Sequence, residues 1–242
     1  MLQESFNRLV VFDIETASEY ATYSELASAD PNKARLWSTR CVWLRGRYPE
    51  NAALNDDELY KVKAALHPEF SKIICISIGQ IKNDGESITV KSYQGEERDI
   101  LENFIKVNAA VVSKIAGAQY CGHNIKRFDV PFIAKRILMN GLRLPPNFQI
   151  FKMKSWEIPF LDTSEIWSFG AWQEGYASLE LLCNSLQIPT PKESINGAMV
   201  GEAFYSGRID EIVEYCERDV VAVCQVLLNL SGIDIYANIE RR

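Results

Sequence analysis

Histidine is nearly missing from this chain: His67 and His123 are the only two in 242 residues. Zinc chemistry built on imidazole ligands is therefore not expected. The six cysteines, Cys41, Cys75, Cys121, Cys183, Cys216 and Cys224, contain no C-x-x-C pair, and most sit in apolar runs. They read as reduced core thiols, and neither a disulfide framework nor a zinc site is predicted. No run of about 18 apolar residues offers a membrane span. The opening "MLQESFNRLV" lacks the basic start and apolar stretch of a secretory signal. A cytoplasmic protein with no membrane partner is expected. Positive charge is also in deficit, with 26 Lys and Arg against 32 Asp and Glu and a net charge of −6. At first sight that speaks against a nucleic-acid partner, which prefers a basic surface.

Apolar residues make up 47% of the chain and charges of both signs are mixed throughout, the composition of a globular protein able to bury a sizeable core. "RLVVFDI" (8–14) and "KIICISIGQI" (72–81) predict strands, with "NDG" as a tight turn into a third, "SITVKSYQ". So short a connection makes the last two antiparallel. Apolar residues from Glu96 to about Lys114 recur at helical spacing behind an acidic first turn. "AQYCGH" follows as a short strand. "FDVPFIAKRILM" (128–139) then predicts a helix, with Pro131 in its first turn and Gly141 past its end. "IPFLDTSEIW" is a fifth strand candidate. Residues 178–188 form a helix opened by a Ser cap, and 208–230 a long amphipathic helix. This order predicts an α/β fold, a mixed five-stranded sheet with helices on both faces, ribonuclease H-like at the level of topology. Residues 18 to about 70 break the rhythm and read as an insertion between the first two strands of a single domain spanning 1–242.

Side chains alternate across a strand, so Asp13 and Glu15 in "VVFDIETA" share one face. Unpaired in a half-buried site they would cost several kcal/mol, or one would take up a proton. A divalent cation removes the conflict; an edge strand with two solvated acids would also avoid it. In "CGHNIKRFDVPFI" a strand ends near His123, Asn124 caps a turn, and Asp129 opens the next helix. An Asp there is ordinarily a dipole partner. The same residues also lie where open α/β sheets bind ligands, at the strand ends. In "EYCERDVV", Tyr215 and Asp219 are neighbours on one helix face while Glu217 projects from nearly the opposite side. An acid at 219 interrupts an apolar stripe carrying Ile212 and Val223.

In that order, D-x-E, N-x-x-x-F-D and Y-x-x-x-D resemble the three motifs of the DEDD superfamily of 3′–5′ exonucleases, and the tyrosine resembles its DEDDy branch. "LHPEFSKIICIS", "GHNIKRFDVPFIAKRIL" and "GRIDEIVEYCERDVVA" look like the predicted exonucleases related to the proofreading domain of family B DNA polymerases. The resemblance spans nearly the entire chain.

It implies metal ligands Asp13, Glu15, Asp129 and Asp219, hard oxygen donors suited to two Mg²⁺ or Mn²⁺ ions about 3.5–4 Å apart on the scissile phosphate. By that likeness Asp13 bridges both ions, Glu15 and Asp219 hold the one on the nucleophile side, and Asp129 supports the other. Tyr215 would orient the attacking water, since a phenol of ordinary pKa about 10 keeps its proton at neutral pH. Glu214 stands where related enzymes have a histidine. Thr16, Asn124 and Phe128 would contact substrate, although Phe128 also reads as core and His123 as a satisfied strand-end histidine. Two divalent ions would bring the acidic balance close to neutral. Lys33, Arg35, Arg40, Arg45 and Arg47, interleaved with Trp37, Trp43 and Tyr48, suit a single strand or, equally, a flap over the sheet edge. The expected activity is metal-dependent trimming of single-stranded 3′ ends to nucleoside 5′-monophosphates, DNA before RNA, with DNA repair, proofreading from a separate chain and RNA turnover open as settings. The alternatives are an RNA-trimming exoribonuclease and an inactive nucleic-acid-binding module. A polymerase or repair partner in trans is left open.

Overall fold

The computed structural model describes residues 6–82, 85–171, 177–189, 195–233 and 238–241, and structural statements below refer to these. Strand β1 (Leu9–Ser18) is central, antiparallel to β2 (Ser71–Lys82), which is antiparallel to β3 (Ser87–Gln94). On its other side β1 runs parallel to β4 (Gln119–Gly122), and β4 to β5 (Leu161–Asp162). The expected tight turn falls on Asn83 and Asp84, outside the described residues, but the pairing of Lys82 with Ser87 closes the hairpin.

The sheet has six strands and not the five expected. The additional strand, β6 (Asn238–Arg241), pairs parallel with β3 and gives the order β5-β4-β1-β2-β3-β6. All four of its residues are exposed, so burial left no apolar alternation to read. The fifth strand shrinks to two residues because Asp162 accepts the Ser164 N–H and starts a helix, α6 below.

Alternation along β1 sorts the core. Val10, Phe12 and Ile14 pack with Phe104 of α4 (Glu97–Lys114) and with Phe132 and Ile133 of α5 (Asp129–Met139). Leu9 and Val11 pack on Val220, Cys224 and Leu227 of α9 (Ile209–Leu230) on the opposite face. The remaining helices after β5 are α6 (Thr163–Trp167), α7 (Leu179–Ser185), capped by Ser178, and α8 (Val200–Tyr205). The sequence pattern did not reveal α8, whose Ala203 packs with Ala17 of β1 and Ile212 of α9. Arg136 of α5 pairs with Glu97 of α4 and donates to Pro68 O at 2.8 Å, fixing α5 against the chain that enters β2.

Between β1 and β2 lie α1 (Tyr23–Ala29), α2 (Pro31–Arg47) and α3 (Asp56–Lys63). They enclose a core of their own around Leu26, Trp37, Cys41, Leu44, Leu59 and Tyr60. Asn55 and Glu58 form a reciprocal cap at the start of α3.

Gly79 of β2 sets how closely α9 approaches the sheet: a Cβ there would lie 2.4 Å from Val220 Cγ1. Val220 adjoins Asp219, so any displacement at this contact is passed to the acid. Gly79→Ala is expected to lower the unfolding free energy in urea by about 1–3 kcal/mol through overpacking. Wild-type stability in that variant would show that the approach is not tight.

Candidate active site

Asp13 and Glu15 project from β1 towards α9, as alternation requires, and the pairing with β2 shifts register immediately after Glu15. Glu15 is buried and Asp13 half-buried. The first turns of α9 lie over them. Cys216 donates its thiol to Asp13 O and to Asp13 Oδ2, both at 3.5 Å. Among the described residues, one set of His, Cys, Asp or Glu ligand atoms converges to within 4.8 Å, and it consists of Asp13, Glu15 and Cys216.

Asp129 arrives from a third direction. Strand β4 pairs with β1 only from Leu9 to Val11, so farther along this edge β1 has no strand neighbour. The Ile14 N–H donates instead to Asp129 Oδ1 at 3.1 Å. That bond ties the first residue of α5 to the peptide lying between the two acids of β1. Asp219 and Tyr215 complete the group: the Tyr215 hydroxyl is hydrogen-bonded to the Asp219 carboxylate, and Asp219 raises the pKa of Asp13, Glu15 and Asp129 alike. All five expected catalytic residues therefore meet. Asp129 and Asp219 stand around the tight trio, within electrostatic reach but outside its 4.8 Å limit.

The three expected substrate contacts differ in their present engagements. Asn124 has φ +60°, a left-handed conformation that Asn tolerates. Its N–H donates to Asp162 Oδ1 at 2.8 Å, while its side-chain amide makes no hydrogen bond among the described residues. Phe128 is half-buried and stacks at 5.3 Å on Phe132, at the margin of the core. Thr16 is buried and donates its hydroxyl to Ala65 O at 2.8 Å, which joins β1 to the helical insertion. His123 is the satisfied strand-end residue, with Nδ1 at 2.9 Å from Thr163 Oγ1 and Nε2 at 2.9 Å from Ala177 O. Past the acids, at the end of β1, a cavity of about 570 Å³ opens between the insertion and α8, lined by Ser18, Tyr23, Lys61 and Tyr205 among others.

Two residues of the site went unnoticed in the sequence. By sequence alone Cys216 reads as a core thiol, and its position beside Tyr215 on the first turns of α9 is the signal that sets it apart. Asp162 is buried, and its carboxylate gathers the N–H groups of Asn124, Lys126 and Ser164. It thereby shapes the turn leading to Asp129. The capping pattern D-T-S was legible, but it was absorbed into a strand.

Burial and mutual repulsion act together on the acids. Asp13 is raised well above an ordinary carboxyl by desolvation, then by Asp129, Asp219 and Glu15. Glu15 is raised likewise by desolvation and then Asp219. Asp129 is pushed up to about 7 by burial, against hydrogen bonds from its own N–H and from Ile14, with Asp162 and Asp219 adding repulsion. The phenol of Tyr215 is held far above its ordinary value by burial and then by Asp219, Glu15 and Asp13, so it stays protonated. The donor set, several carboxylates with one protonated thiol, fits a hard divalent cation whose charge would reverse these shifts.

Acids from three segments thus converge beside the central strand of a ribonuclease H-like mixed sheet. Residues 64–234 match the family of the predicted 3′–5′ exonuclease related to the exonuclease domain of PolB, and the chain belongs to that family. The matched span contains Asp129, Tyr215 and Asp219, while Asp13 and Glu15 precede it. Membership makes the chain an enzyme of the 3′–5′ exonuclease type and implies use of a divalent metal and a nucleic-acid substrate. Among solved structures, the family B DNA polymerase from the hyperthermophilic archaeon Pyrobaculum calidifontis is similar with a TM-score of 0.52 at 13% identity. The likeness covers 93% of this chain and 24% of the polymerase, so the chain spans about a quarter of that protein's length, and what the two share is the fold. A search of curated proteins gave no match.

A carboxyl with a folded-state pKa near 7 and an unfolded value near 3.9 binds more protons when folded. Its favourable contribution is present below about pH 4 and is lost as pH rises through 7, by up to about 4 kcal/mol for Asp129 alone. In metal-free buffer the melting temperature is therefore expected to fall between pH 5 and pH 8. Mg²⁺ or Mn²⁺ should restore it at pH 8 and do little at pH 5. Asp129→Asn should flatten both effects. A wild-type slope in that variant, followed by differential scanning fluorimetry, would contradict this reading of the acids.

Proposed function

We propose that the chain is a metal-dependent 3′–5′ exonuclease that shortens single-stranded nucleic acid, DNA in preference to RNA, and releases nucleoside 5′-monophosphates with two Mg²⁺ or Mn²⁺ ions. In this reading it works as one domain carrying residues 18–70 as an insertion. The observation that carries the proposal is the hydrogen bond from Ile14 N–H to Asp129, which brings an acid of α5 to the acid pair of β1 while α9 presents Asp219 from the other side.

Bound divalent ions would supply a Lewis acid that activates water at neutral pH and neutralises charge on the phosphate. The residues have separable tasks. Asp13 and Glu15 would hold the cations from the central strand, and Asp219 and Asp129 would close the group from α9 and α5. Tyr215 keeps its proton on Oη and donates it to Asp219, which leaves an oxygen lone pair to accept from the attacking water and so aim it without serving as its base. The amide of Asn124, without a hydrogen bond among the described residues, would donate to the terminal nucleotide, and Phe128 offers a ring edge beside Asp129. Thr16 contributes through its backbone, since its hydroxyl proton is engaged by Ala65. Preference for DNA is supported by the relation of the family to a DNA polymerase domain; the acids themselves make no distinction between sugars.

Degradation of 5′-labelled DNA and RNA oligonucleotides with Mg²⁺, Mn²⁺ or EDTA tests the assignment. A metal-dependent ladder on DNA is expected, faster than on RNA. A faster ladder on RNA would establish the exoribonuclease, and binding without cleavage of either would establish the inactive module. Asp13→Ala should lower turnover at least about a hundredfold while the fold persists by circular dichroism. Tyr215→Phe should lower it about tenfold with metal affinity retained. Unchanged kinetics in either variant would remove that residue from the mechanism.

A further inference from the structure

Helix α2 is the most one-sided charged element of an acidic protein. Its sequence, PNKARLWSTRCVWLRGR, carries five basic residues and no acid, while the chain as a whole stands at −6. The structure divides these residues by task. Lys33 pairs with Glu19, Arg45 with Asp56, and buried Trp37 donates its indole N–H to Asp56 O at 2.9 Å. Those three hold the insertion together.

Arg40, Trp43, Arg47 and Tyr48 do not. They recur at helical spacing on the outward side, where Trp43 is 49% and Tyr48 40% exposed. Their rings and guanidinium groups are already ordered against one another: Arg40 lies 5.3 Å from the Trp43 ring, Arg47 5.8 Å from Tyr48, and the two rings are 5.9 Å apart. Neither arginine makes an ion pair among the described residues. The positive field also extends towards the acids. Burial and then Arg40 hold the pKa of His67 below its ordinary value against the opposing charge of Glu69, with Lys135 and Lys63 adding to Arg40, so three cations and one acid surround this imidazole. Lys135, which forms an exposed ion pair with Glu69 at 3.5 Å, belongs to α5, six residues from Asp129, or about 9 Å along the helix axis.

We propose that the outward face of α2, formed by Arg40, Trp43, Arg47 and Tyr48, is a platform that holds the single-stranded substrate on the 5′ side of the end being trimmed. The inference rests on the exonuclease reading and adds the path of the strand to it. Guanidinium groups meet phosphates, and paired aromatic rings accept bases of any sequence. Charge complementarity selects this occupant: a cationic face on an anionic protein favours a polyanion over a neutral protein surface. Lys63 and Lys135 continue the track to the acids.

The test uses the full chain and the variants Trp43→Ala/Arg47→Ala and Arg40→Glu/Arg47→Glu, with folding checked by melting temperature. Fluorescence anisotropy of a labelled single-stranded DNA of about twenty nucleotides, measured in EDTA, reports binding without catalysis. Affinity is expected to fall about tenfold or more in each variant. The slope of log affinity against log salt should fall by about 1.4 in Arg40→Glu/Arg47→Glu, which loses two phosphate contacts, and by about 0.7 in Trp43→Ala/Arg47→Ala, which loses one. With Mg²⁺ present, the ratio of kcat/KM for the long strand to that for a dinucleotide should fall to a similar extent. Wild-type affinity and salt slope in both folded variants would overturn the platform. So would loss of self-association in gel filtration with DNA affinity intact, which would give the face to a second copy of the chain. An unmodified protein that binds the long strand through this face but cleaves neither substrate would keep the platform and refute the exonuclease reading.

Discussion

Negative charge drawn into a dry place is the condition around which this fold is arranged. Asp13, Glu15, Asp129 and Asp219 come from β1, α5 and α9, and Asp219 raises the proton affinity of the other three. Leaving an ion of this kind uncompensated costs several kcal/mol. A charged hydrogen bond returns only about 1.5–3 kcal/mol. The bond from Ile14 N–H to Asp129 therefore locates the third acid without neutralising it. Hard cations of charge +2 would satisfy what the hydrogen bonds leave over, and a chain that belongs to a family of predicted 3′–5′ exonucleases has a use for them.

The surrounding architecture supplies position. The end of β4 exposes the edge of β1 that Asp129 occupies. Gly79 lets α9 settle onto β2 so that Tyr215 and Asp219 reach the acids. Gly122 allows the following turn to fold back, since a Cβ there would lie 2.0 Å from Ile125 Cγ2 and 2.8 Å from Phe12 O. Asp162 gathers the backbone of that turn and holds Asn124 in its left-handed conformation. The helical insertion is joined to the same strand through Thr16, the residue after Glu15, and Ala65.

What could be read from the sequence followed from periodicity and from chemical conflict. β2 and β3 are long and apolar enough to announce themselves, as is the stripe of α9. The acids of β1 were legible because they contradict their neighbours. β6 was not, because an exposed four-residue strand is held by backbone pairing, which leaves no side-chain pattern. α8 spans six residues, less than two turns. Cys216 looked like any core thiol because its contact with Asp13 joins residues 203 positions apart. The basic and aromatic residues of 33–48 supported both a flap and a strand-binding surface, since helical spacing does not say which side faces solvent. Burial of Trp37 and exposure of Trp43 divide them.

The central claim is that these acids converge to hold divalent cations. The most direct measurement is anomalous diffraction from crystals of the protein equilibrated with Mn²⁺. Manganese peaks within coordination distance of Asp13, with Glu15, Asp129 or Asp219 completing the ligands, are what the account predicts. Well-ordered acids with no manganese among them at saturating concentration, or peaks only at distant surface carboxylates, would contradict it.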